Sequence, residues 1–226
     1  MTTPQASSAD TPTPDASSQV SARPVRAMHR PGVIVLFLVV VAGLFAADIV
    51  IKYWAFDSVA DSPVVIDTSQ MLDPQYNPIP HHQPKTFVPQ ILSFWLTVNR
   101  GAVFGMGQGA RPVFILVSIV ATAVIMTLFL RSHAKSWVFH LGLAMVLGGA
   151  LGNLYDRVVY YGVRDMFYLF PGWNLPFGLS WPGGNTGLYP WIFNFADVAL
   201  VAGVILLGIL SWRYDMQKQT ASRAQG

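Results

Sequence analysis

Four aspartates stand in or beside apolar stretches that should discourage charge, and their neighbours suggest what each can do. Asp48 precedes Lys52 by four residues, a spacing that puts both on one helix face. The plain reading is an interfacial ion pair whose lysine snorkels toward water. Asp197 closes the run Phe193-Asn194-Phe195-Ala196-Asp197, with Asn194 on the same face and no basic residue nearby to neutralise it. A charged Asp at the middle of a spanning helix costs about 2.5–3.5 kcal/mol on insertion scales, which marks Asp197 as functional. Asp156 shares a face with Asn153 and precedes Arg157, the pattern of a permanently ionised, paired carboxylate. Asp165 follows beside Arg164, and residue types and spacing leave its role open. Two carboxylates that meet in a partly desolvated pocket do not both ionise easily, and one keeps a proton. The ionised member can then take a proton from water while the protonated member polarises a carbonyl. That is aspartic peptidase chemistry.

The elements that must position these groups are membrane spans. The 226 residues are 53% hydrophobic and only 11% charged, less than half the usual charged share of a soluble domain, and the mean hydropathy is +0.44. The apolar residues are bunched into four blocks, 31–51, 112–130, 136–155 and 191–212, each near the 20 residues that cross a bilayer core of about 30 Å. The first block is too long for a signal-peptide core, and Leu44-Phe45-Ala46-Ala47 offers no small residue at the position a cleavage site needs, so it is expected to remain as a span. The four spans belong to a membrane domain over residues 31–213. Before it, residues 1–30 are rich in Ser, Thr, Ala and Pro and are expected to form a disordered cytoplasmic arm; after it, residues 214–226 form a cytoplasmic tail. Arg23, Arg26 and Arg30, then Arg131 and Lys135, then Arg213, Lys218 and Arg223 fall on one side if the spans number four. The positive-inside tendency makes that side the cytoplasm and turns the loops 52–111 and 156–190 outward. Asp48, Asn99, Asn153, Asp156, Asp165, Asn194 and Asp197 then gather at the outer boundary from five separate segments. Alternating aromatic and β-branched residues between 87 and 107 suggest short strands against the membrane surface, and the Trp- and turn-rich second loop suits the headgroup layer.

Other chemistries find little support. There is no cysteine, which excludes disulfides, thiolate nucleophiles and Cys-ligated metals, and a net charge of +3 is too small and scattered for nucleic acid. His81-His82 lacks a third ligand and reads as a solvated loop. The Gly-rich residues 105–109 lack the lysine of a phosphate loop, there is no G-x-S-x-G elbow, and His140 reads as a packed or helix-bridging residue.

In chain order, DIVIK (48–52), NRGAVFG (99–105), GGALGNLYDR (148–157), GVRD (162–165) and FNFAD (193–197) resemble the motifs of the bacterial lipoprotein signal peptidases (signal peptidase II), membrane aspartic peptidases that cut prolipoproteins. The resemblance covers about residues 31–213. It implies an α-helical integral membrane protein of four transmembrane helices, with a small β-rich extracytoplasmic cradle, a short amphipathic element in the first outer loop and both termini cytoplasmic. It implies Asp165 and Asp197 as the catalytic pair, selecting Asp165 over Asp156. Asp48, Lys52, Asn99, Gly101, Asn153, Arg157 and Asn194 are implied to bind substrate or brace the site. The implied substrate is a prolipoprotein whose cysteine already carries diacylglycerol, cut before that cysteine at the outer face of the bacterial cytoplasmic (inner) membrane. Neither metal nor cofactor is implied, and a monomer in contact with membrane lipid is expected. Two stretches, 57–86 and 171–190, look expanded relative to the family. A small proton-coupled transporter would also place carboxylates in spans, but nearer the midplane and with internal repeats. A non-catalytic scaffold would leave Asp197 unexplained.

Overall fold

The computed structural model describes residues 25–73, 75–101 and 110–223. Among them are four long helices, α1 (Pro31–Ser58), α2 (Arg111–Arg131), α3 (Trp137–Val159) and α4 (Phe195–Arg223). Each is long and apolar enough to cross a membrane. Proline opens α1 at Pro31 and lies in the first turn of α2 at Pro112, where its missing N–H has no intrahelical partner to lose. α3 is the central helix: Leu143, Ala144, Leu147 and Asn153 are buried on it, whereas Val35 and Leu36 of α1, Leu116 of α2 and Ile205 of α4 face outward. Phe37 of α1 stacks on Phe129 of α2 with ring centroids 3.9 Å apart, closing the core at the end opposite the aspartates.

A four-stranded antiparallel sheet, β1 (Lys85–Val88), β2 (Leu92–Asn99), β3 (Val163–Leu169) and β4 (Ile192–Phe193), sits at the other end in the order β1-β2-β3-β4. It packs Phe94, Leu96 and Met166 onto Ala55 and Phe56, the last turns of α1. Register matters for function here. Thr97 pairs with Asp165 and Asn99 with Val163, while Phe167 pairs with Phe193, so β2 and β4 deliver Asn99 and Asn194 to either side of Asp165.

Small residues set the helix spacing. A Cβ on Gly149 would meet the Ala196 carbonyl oxygen and come within 3.1 Å of the Leu200 nitrogen, and one on Gly152 would meet the Asp48 carboxylate. Gly149→Ala is therefore expected to cost about 1–3 kcal/mol in thermal unfolding in detergent, with Gly43→Ala, where nothing lies within 4 Å, unchanged.

Several expectations change. The fourth span starts at Phe195 rather than 191, because Ile192 and Phe193 pair with β3 as a strand. It also continues as helix to Arg223, well into the expected tail. The expected disordered arm lies outside the described residues up to position 24, but residues 25–30 are ordered. The Ala27 N–H bonds the Ser132 carbonyl, Ala134 bonds Val25, and Ala27 is fully buried against the hairpin between α2 and α3. His82 is not solvated either. It is buried, its Nε2 accepts the Leu96 N–H at 3.2 Å, and its Nδ1 lies 3.2 Å from the Gln83 carbonyl. His140 bridges as expected, 2.7 Å from the Ser132 hydroxyl and edge-on to Phe129. No helix occurs between α1 and α2 among the described residues, and the Gly-rich residues 105–109 lie outside them.

Candidate active site

Asp197 occupies the third position of α4, and its placement follows from how that helix starts. The Asn194 side chain accepts the Asp197 N–H at 3.1 Å, and the Asp197 carboxylate accepts the Asn194 N–H at 3.1 Å. This reciprocal cap satisfies two orphan amides and leaves the other carboxylate oxygen to accept from Asn153. Asp197 therefore lies in the first turn of α4 rather than at the middle of the span, and there the helix amides and dipole favour negative charge. The next amide, Ala196 N–H, is capped at 2.9 Å by Asp48 from α1.

Two asparagines join this carboxylate to Asp165. The Asn153 amide nitrogen donates to Asp197 at 2.7 Å, and that of Asn194 donates to Asp165 at 2.5 Å and to the Asn153 oxygen at 3.1 Å. Lys52 donates to the same Asn153 oxygen at 3.2 Å. The Asn153 amide thus has its orientation set by charged neighbours on both sides, and that of Asn194 by the Asp197 N–H on its oxygen. Asp165 is 2% exposed. Burial, and then the charge of Asp197, push its carboxyl well above the usual carboxylate range, against hydrogen bonds from Asn194 and Asn99 and the charge of Lys52. Asp197 is half-buried. Both carboxylates line one cavity of about 460 Å³, together with Asn99, Asn153 and Arg157. Its apolar walls are Phe114 and Val117 from α2, Leu200 and Val201 from α4, and Tyr189 and Trp191 from the second loop.

The remaining predicted residues fall around this pair in ways that spacing did not show. Lys52 does not snorkel: it is fully buried, 2.7 Å from Asp48 and 3.1 Å from Asp156. Asp156 does not pair with Arg157, since consecutive helical residues point about 100° apart. Its partner is Arg164, through side-chain contacts of 2.8 and 3.1 Å and a backbone N–H at 2.9 Å. Arg157 instead turns toward the cavity, donating to the carbonyls of Asn153 at 3.3 Å and Gly101 at 3.5 Å. Gly101 is buried, and its N–H is held at 3.0 Å by the Asn99 side chain. Among the described residues, no three His or Asp side chains gather to hold a metal ion.

Three contributors were missed. Arg164 lies under the rings of Tyr53 and Tyr160, 4.8 and 4.1 Å from their centroids; strand alternation, which turns residues 164 and 165 to opposite faces, was the signal for it. Arg111 closes the end of α3 through the carbonyls of Arg157 (2.6 Å) and Val158 (3.1 Å). Arg100 pins the first outer loop beside the site, donating to the carbonyls of Asp73 and Tyr76. Nothing local in the sequence announces either of these two long-range contacts.

Four spans, a small sheet and two asparagine-bridged carboxylates at one end of the bundle define a membrane aspartic peptidase. The family model described as signal peptidase (SPase) II matches residues 40–213, and the chain belongs to that family. The chain is 34% identical over 176 residues to the lipoprotein signal peptidase of Dichelobacter nodosus, covering 76% of this chain and 90% of that one. It is 37% identical over 125 residues to that of Lactobacillus gasseri, covering 55% and 70%. A solved structure described as a bacterial membrane enzyme, determined by the in meso method at 2.3 Å resolution, superposes with a TM-score of 0.60 at 22% identity, covering 82% of this chain and 92% of that one. That likeness extends to the fold.

Proposed function

We propose that this protein removes the signal peptide from diacylglyceryl-modified prolipoproteins, with Asp165 and Asp197 as the catalytic pair. The observation that carries this is the linkage Asp165–Asn194–Asn153–Asp197 on the wall of one cavity. Asp165, the more buried carboxyl, keeps the proton and donates it to the scissile carbonyl oxygen as charge develops there. Asp197 takes a proton from water, which attacks the carbonyl carbon. The tetrahedral intermediate collapses by breaking the C–N bond before the lipidated cysteine; the departing amine takes the proton that Asp197 acquired, and a hydroxyl of the intermediate returns its proton to Asp165 as the carbonyl re-forms. Asn99 and Arg157 line the cavity and supply donors and acceptors to an extended peptide, and Gly101, bonded to both, braces them. Asp48 and Lys52 act through the cap of α4 and the oxygen of Asn153.

The cavity position suits a substrate that cannot leave the bilayer. Val117 of α2 and Val201 of α4 both line it and remain more than half exposed, at 57% and 54%, so acyl chains can approach between these helices from the side. With the termini in the cytoplasm, the site faces the outside of the bacterial inner membrane, and one chain suffices to form it. A proton-coupled transporter is the weaker reading because the carboxylates sit at one end of the bundle rather than midway. The test is a gel-shift assay of the purified protein with a diacylglyceryl-modified prolipoprotein. Cleavage before the modified cysteine is expected, and a folded protein that leaves the substrate intact overturns the reading.

The protonation state of Asp165 makes a prediction about pH. Its folded-state pKa is raised, so the native state holds a proton that the unfolded chain releases. Native stability is then highest below the ordinary carboxylate range and declines as pH rises through it toward the raised value. Asp165→Asn has no such proton to lose. Its melting temperature should vary less between pH 5 and pH 8 than that of the wild type, measured in the same detergent. Equal slopes for the two proteins would show that Asp165 does not hold the buried proton.

A further inference from the structure

Two loops flank the site, and their chemistry is opposite. The first carries Asp61, Asp67, Asp73, His81 and Lys85, as a chain in water should. The second, with the strands that flank it, runs from Met166 to Ala196 without one Asp, Glu, Lys, Arg or His. Burial explains this for the strands but not for the loop. Trp173 is 52% exposed, Phe177 96% and Leu179 58%, on a turn that projects from β3 and returns to the head of α4. Isolated exposed apolar residues are ordinary, but an uncharged exposed stretch carrying Trp and Phe is not.

The base of the loop ties its own backbone together. The Leu175 N–H bonds the Thr186 carbonyl at 2.7 Å, Leu188 bonds Trp173 at 2.7 Å, and Trp181 bonds Asn185 at 2.8 Å. The Trp181 indole N–H bonds the Gly187 carbonyl at 2.9 Å. Trp181 packs edge-on against Trp191, tying the loop to the residues just before the membrane-crossing α4. A lipid headgroup layer is the environment that rewards indole and phenyl groups together with an absence of charge.

We propose that the turn bearing Trp173, Phe177 and Leu179 inserts into the bilayer leaflet on the side of the carboxylate pair, so that the chain between the two aspartates is anchored in lipid at its middle. The chain has no cysteine, so a single one can be introduced at Phe177 or Leu179, labelled with an environment-sensitive fluorophore, and reconstituted in phosphatidylethanolamine–phosphatidylglycerol vesicles. Asp61→Cys, on the exposed first loop, is the aqueous reference. Labels at 177 and 179 should be quenched by nitroxide-bearing lipid, and aqueous iodide should reach them about tenfold less than position 61, the ratio set by transfer of one large apolar side chain. Iodide quenching equal to that at position 61 overturns the proposal. Protection from iodide without quenching by lipid nitroxide also overturns it, because the tip then docks on protein.

Discussion

Asp197→Asn is expected to lower cleavage of a lipid-modified prolipoprotein by about a thousandfold or more while the protein still inserts and folds, since residues that act as one catalytic unit lose that much when one member is removed. The substitution keeps the volume of the side chain. It leaves one oxygen to accept from Asn153 or from the Asn194 N–H, but it presents an NH₂ to the other donor. The loss of part of the cap of α4 costs about 0.5–2 kcal/mol, too little to unfold a four-helix core. Asp165→Asn is milder for stability, because an amide resembles the protonated carboxyl it replaces and its oxygen still accepts from Asn194. Its effect on cleavage should be as large, because an amide cannot hand a proton to the substrate carbonyl. Running the two variants beside wild type in the gel-shift assay separates the readings. Near-normal turnover by either would remove that residue from the catalytic pair, and a scaffold would keep its role in both.

What could be read from the chain, and what could not, divides along a physical line. Spans are legible because the bilayer demands about twenty apolar residues in a row wherever they occur. The sheet was partly legible, from the alternation that became β2. The meeting of Asp165 with Asp197 was not, because it depends on two pairings that no local pattern encodes: the register of Thr97 on Asp165, and the cap that Asn194 makes on α4. The family motifs supplied that choice. Charge pairing misled for a related reason. Adjacency suggested Asp156 with Arg157 and a lysine reaching for water, whereas helix and strand geometry turned Arg157 into the cavity, brought Arg164 to Asp156 and buried Lys52 among three acceptors. The pairing of Lys52 with Asp48 was legible in DIVIK, but its other two partners, Asn153 and Asp156, lie about a hundred residues away.

That buried network carries the largest expected effect on stability. Asp48, Lys52 and Asp156 are fully buried and Arg164 nearly so, two acidic and two basic side chains taken together out of bulk solvent. Such a network is not itself a strong source of stability, because desolvation cancels most of the attraction, but removing one member leaves an uncompensated charge inside the protein. Asp156→Asn takes the negative charge from between Lys52 and Arg164 and is expected to cost about 3–5 kcal/mol, seen as a large drop in melting temperature in detergent. Because the Arg164 N–H and guanidinium hold β3 to Asp156, the same change loosens the strand that bears Asp165. Activity should then fall in proportion to the folded fraction and recover on cooling. An Asp156→Asn protein that melts like wild type yet cleaves nothing would place Asp156 in the chemistry, and the family's choice of Asp165 would have to be reopened.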